Sequence, residues 1–214
     1  MLVSSLLVMA TAVAPVSAQT HRSPTAPAAK PAQFHFVVAS TGNEARYRVR
    51  EQLVGLDLPN DAVGVTKDVS GRIVVGRDGK IVRDTSRIVV RVTSLKSDKT
   101  RRDGFVQRNT LETSKFPQVE LVPTAFDGLS EVIPAGTTRT FSLVGELTVH
   151  GVTHPSSWRV TAHAEGADVV GSAETAFTFR DFGLDQPRVP VLLSVADSIK
   201  LEYDFRFSPE GGNP

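Results

Sequence analysis

The 214-residue sequence predicts an all-β fold of eight antiparallel strands. Three observations carry that reading. Apolar and polar residues alternate with period two along most of the chain, as in strands with one buried face. Only one stretch resists the pattern. And a short motif, "LTVHGVTHP" at 147–155, specifies a hairpin whose register follows residue by residue.

The strands are taken in order. Residues 46–54 set Tyr47, Val49 and Leu53 against Arg46, Arg48 and Arg50. Residues 68–76 contain "VSGRIVV" and close on the turn signal Arg77-Asp78-Gly79. Residues 86–95 are strongly β-branched, and 119–122 form a short strand before Pro123. Strands at 138–149 and 157–164 follow. Residues 171–182 set Ala173, Thr175, Phe177 and Phe179 against Glu174, Thr178 and Arg180. Last, 198–207 set Ile199, Leu201, Tyr203, Phe205 and Phe207 against Lys200, Glu202, Asp204 and Arg206. The exception is the polar stretch 97–116, read as short helical turns with Ser97 as N-cap and a stop at Pro117. Eight such strands suit a sandwich or a closed barrel; closure removes exposed edges and leaves an interior fit for one small ligand.

The hairpin motif holds two of the chain's five histidines, His150 and His154. Placing His150-Gly151 at the centre of a type I′ turn meets its need for positive φ at both positions. Val149 then faces Val152, Leu147 faces His154, Leu143 faces Trp158 and Phe141 faces Val160. One face collects these apolar side chains, and the other collects Thr140, Ser142, Glu146, Thr148, Thr153, Arg159 and Thr161. Pro155 falls opposite Glu146, where its missing N–H would have pointed away from β-partner Glu146, so the far side of that strand should be an edge or bulge. On an extended strand the two histidines lie roughly 13 Å apart, an awkward span for one ion. No metal site and no catalytic residue are therefore assigned, and no cofactor is implied.

Residues 1–18 carry no charge, and an apolar run from Leu2 to Ala14 ends at Val16-Ser17-Ala18. This reads as a signal peptide cleaved after Ala18, not an integral membrane span, and places the protein in the periplasm or outside the cell. Residues 19–33, rich in Pro and Ala, read as a linker. The domain is then 34–208, with 209–214 a C-terminal tail. The formal charge of +1 includes Arg22 and Lys30 of the linker, and no basic stripe appears, which argues against nucleic-acid binding. Cysteine is absent, so neither disulfides nor a thiol nucleophile are available.

Four segments together resemble the YceI-like family of exported bacterial proteins: "TSLKSDKTRRDGFV" (93–106), "LETSKFPQVELVPT" (111–124), "GELTVHGVTHP" (145–155) and "FTFRDFG" (177–183). By position, Arg102-Asp103, Phe116-Pro117, His150-Gly151 and Arg180-Asp181-Phe182 match the family's motifs. Arg108-Asn109-Thr110-Leu111 departs from its usual acidic-aromatic pair. The resemblance implies a lipocalin-like barrel with a long apolar cavity that binds a polyisoprenoid lipid, such as a prenyl quinone or prenyl phosphate, for carriage or sequestration and without catalysis. The apolar faces supply the lining candidates: Phe141, Leu143, Trp158, Val160, Phe177, Phe179, Leu201, Tyr203 and Phe205. Trp158 and Tyr203 stand out because each has a polar group in need of a partner. Arg102, Asp103, Arg180 and Asp181 read first as structural ion pairs or loop anchors, and second as contacts to a ligand's polar head. Arg101 and Arg108 read as a solvated face. Two other functions compete. A filled barrel acting as an envelope interaction module would have no tunnel; an enzyme acting on lipid would need convergent ionisable groups inside, for which the inward candidates are His154 and Glu51. A homodimer is compatible with the sequence.

Overall fold

The computed structural model describes residues 33–129 and 133–211. The signal peptide expected at 1–18, nearly all of the linker at 19–33 and the last residues of the tail lie outside the described residues. Ten strands form: β1 (Gln33–Val38), β2 (Glu44–Leu53), β3 (Asn60–Thr66), β4 (Val69–Gly76), β5 (Arg87–Arg91), β6 (Gln118–Asp127), β7 (Thr138–Val149), β8 (Val152–Glu165), β9 (Asp168–Thr178) and β10 (Leu192–Pro209). A six-residue helix, α1 (Thr100–Phe105), widens into a π-type turn at Val106–Thr110.

The sheet order is β1-β4-β5-β6-β7-β8-β9-β10-β2-β3, and β10 pairs back to β1, which closes a ring of eight strands. All named pairings are antiparallel. The two strands missed by the sequence reading, β1 and β3, explain how ten strands make an eight-stave barrel. On one edge of β10, β1 pairs through Val38↔Phe207 and β2 resumes at Glu44↔Asp204, so β1 and β2 are two halves of one interrupted stave. β3 and β4, facing β2 and β1 respectively, form the next stave.

The interruption at 39–43 is held by Asn43, which is only 7% exposed. Its amide nitrogen donates to the Ala39 carbonyl at 2.8 Å, and its side-chain oxygen accepts from the Tyr203 hydroxyl at 2.7 Å and from the Arg206 N–H at 3.2 Å. One side chain thus replaces the ladder bonds lost where the stave breaks.

The central hairpin follows the expected register throughout, from Val149↔Val152 to Thr138↔His163. His150 and Gly151 have φ of 51° and 76°. Phe141, Leu143, Leu147, Val149, Trp158 and Val160 are all buried. On the outer face Thr148 and Thr153 share a hydrogen bond of 2.8 Å. β8 meets β9 only from Arg159↔Glu174 onward, so Pro155 has a free edge on its far side, as its missing N–H requires.

Several boundaries differ from expectation. β6 does not stop at Pro123; it continues to Asp127 through a bulge between Pro123 and Ala125 that absorbs the missing donor. The strand expected at 171–182 ends at Thr178, and Phe179–Phe182 form a tight helical turn. There the Asp181 carboxylate accepts from Thr178 N–H at 2.7 Å, while Thr178 Oγ1 accepts from Asp181 N–H at 3.4 Å. Ser97 does not cap α1 directly. Asp103, inside the helix, reaches back to accept from Ser97 N–H at 2.8 Å and Ser97 Oγ at 2.6 Å. β10 begins at Leu192, ahead of the expected 198, because a bulge between Val195 and Ile199 interrupts its alternation.

Replacing Asn43 by Ala strands the Tyr203 hydroxyl and two backbone groups. We expect a loss of about 2–3 kcal/mol in urea unfolding at neutral pH, with an unchanged far-ultraviolet spectrum below the transition. A loss within about 0.5 kcal/mol would show that the break closes without this side chain.

Candidate functional site: an apolar cavity along the barrel axis

Because successive connections alternate between barrel ends, one end gathers the β2–β3 turn (54–59), the connection 92–117 with α1, the His150-Gly151 turn and the connection 179–191. The opposite end gathers the connections at 77–86 and 166–167, together with the end of β6 and the start of β7. Between them runs a cavity of about 1250 Å³ whose lining includes residues from both ends. It exceeds the 300–1,000 Å³ typical of drug-sized ligand sites. The inward faces supply it with hydrocarbon: Ile73, Ile88, Leu121, Phe126, Leu147 and Val149 join the walls.

All nine sequence candidates border this cavity. Phe141, Leu143, Trp158 and Val160 form the β7–β8 wall, and Leu201, Tyr203 and Phe205 the β10 wall. Phe177 lies near the end of β9, and Phe179 in the turn beyond it. The polar groups of Trp158 and Tyr203 differ from expectation. Trp158 Nε1 donates to Ser156 Oγ at 3.1 Å and the Tyr203 hydroxyl to Asn43, so both are satisfied within the protein. The phenol left without a hydrogen bond among the described residues is Tyr47, on the same inward face as Val49 and Glu51. Its position was legible in the alternation of β2.

The connection 97–116 contributes more than its polar composition signals. Phe105, Val106, Thr110 and Leu111 all line the α1 end of the cavity. The Thr110 hydroxyl is buried and makes no hydrogen bond among the described residues. Glu51, 6% exposed, accepts from Arg102 Nη2 at 2.5 Å, and Arg102 also pairs with Asp98. This ion pair fastens α1 to β2 and makes Glu51 an inward but neutralised group. Farther along the connection, Glu112 accepts from His150 Nε2 at 2.9 Å, and Phe116 packs edge-on against the imidazole at 4.4 Å. Lys115 and then His150 hold the Glu112 carboxyl below its usual range.

His154 is not inside. It is exposed, outside the cavity, with its ring against Phe182 at 5.3 Å. The barrel wall is incomplete at that height because β8 has not yet met β9, so the inward register opens to solvent. Arg180 and Asp181 are exposed as well, Asp181 acting as the turn cap described above. Arg101 and Arg108 are both exposed, Arg101 at the cavity rim and Arg108 over Gly104. Among the described residues no group of three or more metal-ligating side chains is close enough to hold an ion. Nor is any helix among them long and apolar enough to cross a membrane.

The profile of the YceI-like domain matches residues 27–207. The chain belongs to the YceI-like family. The resemblance read from the motifs therefore holds over nearly the whole barrel. A UPF0312 protein of Pseudomonas fluorescens strain SBW25 is 33% identical over 113 residues, covering 49% of this YceI-like chain and 55% of the relative. Another, from Pseudomonas putida strain GB-1, is 28% identical over 124 residues, covering 51% and 61%. These alignments span little more than half the length of the curated relatives. Solved structures attest the fold at low identity. A polyisoprenoid binding domain from Saccharophagus degradans superposes with a TM-score of 0.63 at 10% identity, covering 82% of this chain and 98% of that one. BcnA of Burkholderia cenocepacia gives 0.56 at 16% identity, covering 77% and 95%. The Campylobacter jejuni YceI protein gives 0.57 at 16%, covering 75% and 91%.

The two tyrosines offer a direct test of the site's environment. Burial pushes Tyr47 up to about 12 and raises Tyr203 above the ordinary phenol range of about 10. Absorbance titration near 295 nm should find no phenolate between about pH 9.5 and 11 in the folded protein, and both phenols ionising near the ordinary value in denaturant. A raised phenol binds its proton more tightly when folded. Its stabilising contribution is therefore complete below about pH 10 and fades as pH rises through its folded value.

Proposed function

We propose that this protein is an exported, non-catalytic lipid-binding protein that holds a polyisoprenoid chain, of a prenyl quinone or prenyl phosphate, inside its barrel. The observation that carries the reading is the cavity itself: about 1250 Å³ enclosed by hydrocarbon side chains, where a filled barrel would have none. A polyprenyl tail exposes continuous apolar surface to water, and removing that surface gains roughly 25 cal/mol per Å². No charged anchor is needed along the shaft. β7, with 12 residues at roughly 3.4 Å each, runs about 40 Å, so even a tilted barrel accommodates several isoprene units end to end.

The nine lining residues serve as the shaft of the site. At the α1 end, Tyr47, Thr110 and the Glu51–Arg102 pair provide the polar surroundings for a head group. The likeness to the polyisoprenoid binding domain from Saccharophagus degradans supports the choice of ligand class. Export rests on the uncharged, apolar residues 1–18. The absence of catalysis rests on what the cavity presents. Among the described residues no histidine lines it, and its carboxylates are each paired with a cation: Glu51 with Arg102, Glu202 with Arg48 and Lys200, Asp168 with Arg206 and Asp78 with Lys80.

Trp158 is the chain's one tryptophan and borders the cavity, so it reports occupancy without a label. A long-chain prenyl quinone should quench its emission at one equivalent per chain. Ala173→Phe, which fills the cavity from the β9 wall, should weaken that quenching by about tenfold or more while leaving the circular dichroism unchanged. Neither quenching by prenyl quinone nor binding of polyprenyl phosphate by the unsubstituted chain would end the reading.

A further inference from the structure

Among the described residues, five of the six exposed large apolar side chains stand together at the α1 end of the barrel. Val54, Leu56 and Leu58 occupy the β2–β3 turn, exposed by 49–76%, and Val191 and Leu193 lie beside them at 60% and 65%. The two segments are joined by Val54 N–H donating to the Val191 carbonyl at 3.0 Å and by the pairing Leu53↔Leu192. The patch is continuous with the interior. Leu53, Val54, Val191 and Leu192 all line the cavity, whereas Leu56, Leu58 and Leu193 carry the same apolar surface outward from the rim. Nothing in the packing of the barrel explains why three leucines should face water around its mouth, and contiguous exposed apolar surface marks an interaction site.

Charge at the same rim narrows the partner. Lys99 and Arg101 border the mouth, and Arg188 belongs to the segment that carries Val191. Arg101 and Arg188 have no ion pair among the described residues, and Lys99 is 61% exposed beside Asp98 at 3.8 Å. The carboxylate lining this end, Glu51, is occupied by Arg102; Asp57 is the one acid in the β2–β3 turn, residues 187–193 contain none, and Asp181 and Asp185 precede them in the connection. Apolar tips flanked by cations at the opening of a hydrocarbon cavity match the interface of a membrane, where leucines enter the acyl boundary and cations meet head groups.

We propose that the β2–β3 turn and residues 187–193 dock onto the surface of a bilayer carrying anionic head groups, bringing the cavity mouth against the membrane. This rests on the reading of the cavity as a polyprenyl site, for which the membrane is the source or destination of the tail. Leu56, Leu58 and Leu193 insert, and the lining residues Val54 and Val191 continue the path from acyl chains to cavity without a water gap.

The chain contains no cysteine, so Leu58→Cys and, at the opposite end, Phe34→Cys each accept one environment-sensitive fluorophore in the full chain. On vesicles of phosphatidylethanolamine and phosphatidylglycerol the label at 58 should brighten and shift to the blue, the label at 34 should not, and phosphatidylcholine vesicles should give a weaker response. Leu56→Asp with Leu58→Asp should slow transfer of a polyprenol from such vesicles by about tenfold or more, while equilibrium binding of detergent-dispersed polyprenol stays unchanged. A silent label at 58 in a protein that binds dispersed polyprenol overturns the docking and spares the cavity. Equal responses at 58 and 34, or a response at 58 that follows protein concentration instead of vesicles because a second copy covers the tips, overturn it as well. Insertion at 58 in a protein that binds no dispersed polyprenol defeats the cavity reading alone.

Discussion

The barrel depends on the closure of its sheet at β10. That strand pairs with β9 along one edge and, along the other, with β1 and then β2. Without it, the sheet would have two bare edges and the inward side chains no enclosure. The seam runs past a break in the partner stave, and Asn43 bridges it by bonding Ala39, Tyr203 and Arg206 at once. The aromatic ring of Tyr203 stays on the cavity wall because its hydroxyl is tied to that bridge. Sheet closure and cavity lining are therefore set by the same contact.

The other end condition is the connection that carries α1. An eight-stave barrel leaves an opening where the staves splay, and Phe105, Val106 and Leu111 line the cavity there. A short, largely polar segment holds that position through fastenings at both ends of the connection. Arg102 reaches Glu51 on β2, and Glu112 with Phe116 meets the His150-Gly151 turn. Glu112 itself sits at a φ of 44°, a left-handed conformation that the His150 and Lys115 contacts over-determine.

The fold class and much of the cavity wall were legible in the sequence, for a common reason. Period-two alternation reports the inward face wherever a strand pairs on both sides, as in β7, β8 and the regular part of β10. The hairpin register was legible because a single turn, His150-Gly151, fixes every pair after it. What escaped was non-local. β1 and β3 are short and weakly patterned, and their pairing is defined by partners rather than by their own residues. His154 obeys its register yet faces solvent, since the neighbouring strand arrives only at Arg159. Tyr203 found its hydrogen-bond partner in Asn43, 160 positions away, which no local pattern announces.

Ring closure also dictates an order of events during synthesis. The first strand of the barrel must wait for the last, since Val38 meets Phe207 only after nearly the whole domain has been made. Until then both outer strands of the growing sheet offer unsatisfied peptide groups to any neighbouring chain, the state most exposed to aggregation. Contacts so distant in sequence also make for slow folding. A nascent chain kept unfolded, or escorted, until its C-terminal strand is available would avoid that interval altogether.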